Sequence, residues 1–282
     1  MKQFFITLTI ILSVSSLTLA AEPASPPKRI VSLAPSMTEI LYALGLGENI
    51  VAVTTFCDYP EEAKKKPKIG GMSNPSLEAV VSLKPDIVVM TTDGNPKEFE
   101  ERLRSFKIPT YISRARRLAE LPEDIRELGA ALGVRDRADS LADTIASGIK
   151  RLSAAPRSSV DSPPSPHKKV LFIVWPEPLI VAGPGTVIDD AVTMLQYENI
   201  AATAKTAYPK YSIEEVIRQA PELLFIGKGS GMDMQAVSQG ILQRLASVPA
   251  VKNGKVCFMS DNLYRLGPRV IKGIEELAAC PK

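Results

Sequence analysis

Residues 76–90 read SLEAVVSLKPDIVVM, and residues 212–226 read SIEEVIRQAPELLFI. Laid over each other, Ser76 meets Ser212, Glu78 meets Glu214, Val80 meets Val216 and Pro85 meets Pro221. Each copy spells the same local structure: a Ser N-cap, a short helix, a Pro that stops it, an acid, then an apolar strand. A second echo lies upstream in each half. IVSLAPSMTEILYALGLGENIVAV starts at 30 and LIVAGPGTVIDDAVTMLQYENIAAT starts at 179. Both predict a strand, a turn with Pro or Gly, an amphipathic helix, and then Glu-Asn-Ile. Two echoes in one order at similar offsets indicate a duplicated α/β unit.

Strands alternating with helices predict a mainly parallel sheet in each half. RIVSLA, DIVVM and TYIS are strands of the first half; KVLFIV, ELLFI and KVCFM are strands of the second. Between the halves, Leu141, Ile145, Ile149 and Leu152 recur at three- and four-residue steps, and Pro156 ends the pattern. This predicts one stiff helix from about Arg135 to Ala155, roughly 30 Å long at 1.5 Å per residue. The fold class expected is α/β: two Rossmann-like lobes with mainly parallel sheets, joined by one long α-helix, with a ligand cleft between the lobes. The division expected is a signal peptide at 1–21, an N-terminal lobe at 22–130, a bridging helix at 131–156 and a C-terminal lobe at 157–282.

The signal peptide rests on Lys2, the apolar run Phe4 to Leu12 and a small-residue exit near Ala20 or Ala21. That run is shorter than the roughly 20 residues of a membrane span. A soluble, exported, periplasmic protein is expected. The formal charge of +3 is too small to indicate nucleic acid as a partner, and no basic stripe interleaves with aromatics. Three cysteines allow at most one disulfide. Cys257, inside an alternating strand, reads as a small buried hydrophobe. The single histidine, His167, lies in the Pro/Ser-rich stretch SSVDSPPSPHKK. With no His/Cys/carboxylate cluster of zinc-like spacing, no metal site is expected. Ser-His-Asp chemistry would require recruiting His167, so no enzyme and no cofactor are expected.

In open α/β sheets the ligand lies beyond the carboxyl ends of the strands. The residues following the strands are aromatic and soft, with a few polar tips. They are Ser36, Phe56, Cys57, Tyr59, Met72, Trp175, Tyr208, Asp261, Tyr264 and Arg265. Such a wall suits a bulky, partly apolar ligand with polar edges. Cys57, in VAVTTFCDYP, has four readings: a nucleophile that lacks a base, a metal ligand that lacks co-ligands, half of a disulfide, or a plain wall residue.

RIVSLAPSMTEILYALG, CDYP, PSLEAVVSLKPDIVV and SDNLYRLGPR resemble the periplasmic binding proteins for cobalamin and iron-siderophores, the helical-backbone receptors of ABC importers. The resemblance runs from about Arg29 to the C-terminus and is strongest to the cobalamin branch. It implies a monomeric receptor that delivers a small-molecule ligand to a permease dimer at the inner membrane. It also implies that Glu78 and Glu214 dock, one per lobe, on permease arginines. Phe56 and Tyr208 fall where the cobalamin receptor has aromatics, and Ser36, Asp261 and Arg265 fall on further contact positions. Met72 and Thr91 stand where it has tryptophans. A corrinoid is the ligand implied, with a ferric siderophore or a haem as the alternative.

Overall fold

A computed structural model describes residues 26–154, 167–227 and 233–280. The signal-peptide reading of residues 1–21 lies outside them.

The first lobe carries four strands: β1 (Ile30–Ser32), β2 (Ile50–Val53), β3 (Ile87–Thr91) and β4 (Thr110–Ser113). They are all parallel, in the order β2-β1-β3-β4. The second lobe carries β5 (Lys169–Trp175), β6 (Ile180–Val181), β7 (Glu198–Asn199), β8 (Leu223–Gly227) and β9 (Val256–Met259). Here β5 pairs with β7 and β8 in parallel, and β8 with β9. The order β7-β5-β8-β9 therefore repeats β2-β1-β3-β4. The upstream echo departs from this at β6. That strand precedes its helix as β1 does, yet it is a two-residue strand antiparallel to β5. The central strand of the second lobe is instead KVLFIVW. Continuous apolar runs suit these strands because helices cover both faces of each sheet. All three residues of β1 and all five of β8 are buried.

The repeated Ser caps are present. Ser76 Oγ accepts from Ala79 N at 3.2 Å at the start of the helix Leu77–Ser82. Ser212 Oγ accepts from Glu215 N at 3.0 Å at the start of the helix Ile213–Gln219.

The linking helix spans Arg135–Ser153, 19 residues. Its buried stripe is Ala138, Ala142, Ile145, Gly148 and Leu152. Small residues fill it because the neighbours come close. A Cβ on Gly148 would lie 2.9 Å from Ile271 in the last helix, Val270–Ala279. One apolar core runs from Ile30 and Val89 through Ala142 and Ile145 to Phe172, Phe225 and Ile274. The two lobes thus share a core through the helix, which makes their joint stiff. Arg137 Nη1 donates to Leu44 O at 3.1 Å, and Arg151 pairs with Glu275 at 2.6 Å, tying the helix to both lobes. No helix among the described residues is long and apolar enough to cross a membrane.

Cys257 corrects its sequence reading. It is not a lone buried hydrophobe but half of a disulfide with Cys280, fastening β9 to the end of the last helix. A bridge across 23 positions restrains the unfolded chain by about 3 kcal/mol. Cys280→Ser is expected to lower Tm by roughly 6–12 °C in calorimetry, with reduced wild type falling to the same value. An unchanged Tm contradicts this.

Candidate ligand-binding site

All four first-lobe strands deliver their following residues to one cavity of about 450 Å³. Ser36 follows β1 at the start of the helix Pro35–Ala43, and Phe56 follows β2. Asp93 follows β3, and Arg116 follows β4. The second lobe answers with Thr186, the N-cap of the helix Val187–Met194, with Tyr208, and with the stretch Tyr264–Leu266. The cavity lies between the lobes and opens past two exposed rings, Phe56 at 59% and Tyr208 at 46%.

Of the ten wall residues expected, Ser36, Phe56, Met72, Tyr208, Tyr264 and Arg265 line this cavity. Thr91, weighed with them, does so too. Four do not. Cys57 is 1% exposed. Its N–H donates to Thr54 O at 3.2 Å, a turn that sends Phe56 outward and Cys57 back beneath the first helix. There Sγ accepts from Thr38 Oγ1 at 3.1 Å and lies 3.2 Å from Thr54 Oγ1. Both the nucleophile and the metal-ligand readings of Cys57 fail on this burial. Tyr59 stacks on Arg269, 4.3 Å from guanidinium to ring centre, in a separate groove. Trp175 packs on the second-lobe core and donates Nε1–H to Glu177 O at 2.7 Å. Asp261 stands behind the wall, bound to Arg269 Nη1 at 3.1 Å.

The chief feature missed from the sequence is the ion network backing Arg265. Glu39, on the first helix, has a side chain only 1% exposed. It accepts from Arg265 Nη1 at 3.1 Å and from Arg269 Nε at 2.9 Å and Nη2 at 2.7 Å. Asp58 accepts from Arg265 Nη1 at 2.6 Å. Two arginines of the second lobe are thereby clamped to two acids of the first. Burial lowers the pKa of both arginines, but the bonds to Asp58 and Glu39 outweigh it for Arg265, and those to Glu39 and Asp261 for Arg269; both are raised. One signal was available: an acid inside the otherwise buried run of the first helix, and two arginines at i and i+4 in NLYRLGPR.

The two tyrosines of the second-lobe wall are close enough to influence each other. Burial, then the Asp93 carboxylate, raises the pKa of Tyr208. Burial, then Tyr208 and Asp261, raises that of Tyr264. The Tyr264 hydroxyl is buried with no hydrogen-bond partner among the described residues. Its place is kept open by Gly227, whose Cβ would fall 1.3 Å from that oxygen. Among the described residues no group of three His, Cys, Asp or Glu is placed to hold a metal ion. His167 is exposed, with Nδ1 2.8 Å from Gln196 O, far from the wall in sequence and absent from it.

Away from the cavity, Glu78 and Glu214 occupy equivalent positions, each exposed in the first turn of its helix. Neither forms an ion pair among the described residues, whereas Glu215 beside Glu214 is bonded to Arg218.

Residues 30–263 match the model of a family described as periplasmic binding protein. The chain belongs to that family. It is 30% identical over 253 residues to the vitamin B12-binding protein of Pectobacterium atrosepticum, covering 90% of this chain and 88% of the relative. It is 33% identical to an uncharacterized ABC transporter substrate-binding lipoprotein of Bacillus subtilis, covering 89% and 79%. Among solved structures, the periplasmic vitamin B12 binding protein of Vibrio cholerae superposes with a TM-score of 0.75 at 26% identity, over 89% of this chain and 95% of that one. The periplasmic heme-binding protein of Roseiflexus superposes with a TM-score of 0.78 at 29% identity, over 90% and 97%. The two-lobe α/β fold expected from the duplication is the fold of these binding proteins. Its members named here are binding proteins, one of them described as the substrate-binding lipoprotein of an ABC transporter.

Proposed function

We propose that the protein is a periplasmic receptor that captures a corrinoid and delivers it to an ABC-type permease, without chemical change to the ligand. The observation that carries this is the interlobe cavity. Its walls are rings and thioether, Phe56, Met72, Tyr208 and Tyr264, suited to the faces of a flat macrocycle. A ligand larger than the cavity extends over the exposed Phe56 and Tyr208. Arg265, the cation expected in the wall, is already bonded to Glu39 and Asp58. A polyanionic siderophore complex needs several converging free cations, and this wall does not converge them. The names of the B12-binding relatives support the same ligand. Export to the periplasm fits the N-terminal leader pattern. Similarity to heme-binding receptors supports a porphyrin as the second reading.

Calorimetric titration of the mature protein with cyanocobalamin, hemin and a ferric siderophore tests this. Saturation by the corrinoid at about micromolar concentration or tighter is expected, the range of −8 kcal/mol of binding free energy. Saturation by hemin alone moves the assignment to the porphyrin, and silence with all three removes it.

A further inference from the structure

We propose that Asp93 is the specificity-determining residue of the cleft, selecting an amide-rimmed macrocycle over a carboxylate-rimmed one. The proposal rests on the corrinoid reading and assigns that selection to one side chain. Among the described residues lining the cavity, Asp93 is the one carboxylate. Only its main-chain oxygen is engaged, accepting from Thr91 Oγ1 at 2.7 Å. The carboxylate makes no hydrogen bond or ion pair among the described residues. It sits in the turn after β3, on the first-lobe wall, near enough to Tyr208 of the opposite lobe to raise that phenol's pKa.

The charges facing a ligand then follow. Arg265 and Arg116 are the cations of the wall. Arg265 is held by Glu39 and Asp58. Arg116 makes no ion pair among the described residues; its backbone N–H donates to Glu120 at 2.8 Å, and its guanidinium acts on that carboxylate only through space. The wall therefore offers one unpaired acceptor charge and one unpaired donor charge, on the turns after the adjacent strands β3 and β4. A primary amide satisfies both at once, N–H to Asp93 and C=O to Arg116. The periphery of a corrin is a ring of such amides. A haem edge carries two carboxylates. One can face Arg116, but Asp93 repels the other, since a like charge nearby disfavours a carboxylate.

The test measures hemin and cyanocobalamin dissociation constants for wild type, Asp93→Asn and Asp93→Ala, by calorimetry and by hemin absorbance. Melting curves check that both variants fold, as an exposed side chain without partners predicts. Asp93→Asn is expected to reduce the ratio of the hemin constant to the cobalamin constant by about tenfold or more, the scale of one charge-assisted contact. Added salt should tighten hemin binding to wild type and not to the variant, because screening relieves the repulsion. A change in ratio within about threefold overturns the proposal. If wild type binds hemin and not cobalamin, the corrinoid reading fails, yet Asp93 is still judged: Asp93→Asn must tighten hemin by about tenfold, or its role falls as well. If wild type binds neither, both fall together.

Discussion

Glu39→Ala is expected to lower the free energy of unfolding by about 3–5 kcal/mol, the cost of removing one partner from a buried ion network. The Glu39 side chain is 1% exposed, and the two arginines it binds are 14% and 15% exposed. Without it, Arg265 Nη1 keeps Asp58 and Arg269 Nη2 keeps Asp261, but three hydrogen bonds are lost and Arg269 Nε is left with no acceptor among the described residues. The contrast is Arg151→Ala. Its pair with Glu275 leaves both side chains about half exposed, and such pairs contribute about 0–1 kcal/mol. Urea denaturation of the two variants side by side decides the matter. A Glu39→Ala loss as small as that of Arg151→Ala means the network contributes nothing beyond a surface pair. The same substitution has a functional consequence. Arg265 reaches Phe56 O at 3.3 Å as well as Asp58, so it fixes the first-lobe rim from the second lobe. With Glu39 gone, ligand affinity should fall along with stability.

What could be read from the sequence was what is written locally. A Ser cap, a Glu in the first turn, a Pro stop and an apolar strand all lie within 15 residues, so their repetition revealed the lobes before any contact was known. The linking helix was legible for the same reason. Its packing stripe was legible in part: Ile145 and Leu152 are buried and Leu141 and Ile149 pack against the core, whereas Ala138, Ala142 and Gly148 are buried for their smallness and carry no hydrophobic signal. Wall residues set by strand ends, such as Ser36 and Phe56, followed from topology. Cys57 did not, since one backbone turn separates it from Phe56 and reverses its direction. Pairings across the chain were also out of reach. Glu39 meets Arg269 over a separation of 230 residues, and nothing local distinguishes Cys280 from Cys57 as the partner of Cys257.

Reversing both Glu78 and Glu214 to lysine is expected to reduce ligand uptake to background while leaving ligand affinity unchanged. The duplication gives these two residues one address in each lobe, exposed in the first turn of helices that precede β3 and β8. Helix starts favour an anion there by about 0.3–1 kcal/mol each, which is reason enough for a glutamate to be present. That account alone predicts that the double variant loses only modest stability and transports normally. Docking predicts more. Two anions at matched positions, with no ion-pair partner among the described residues, suit a two-fold symmetric partner bearing two cations, and charge complementarity of this kind governs encounter and register. Either single reversal removes half of the match and should leave partial uptake. Glu78→Gln with Glu214→Gln, which removes charge without repulsion, should be milder than the double lysine variant. Uptake of labelled corrinoid by cells carrying each variant, with calorimetry on the purified proteins, separates the two accounts. Transport at the wild-type rate by the double lysine variant would leave both glutamates as helix-start residues and place the permease surface elsewhere on the lobes.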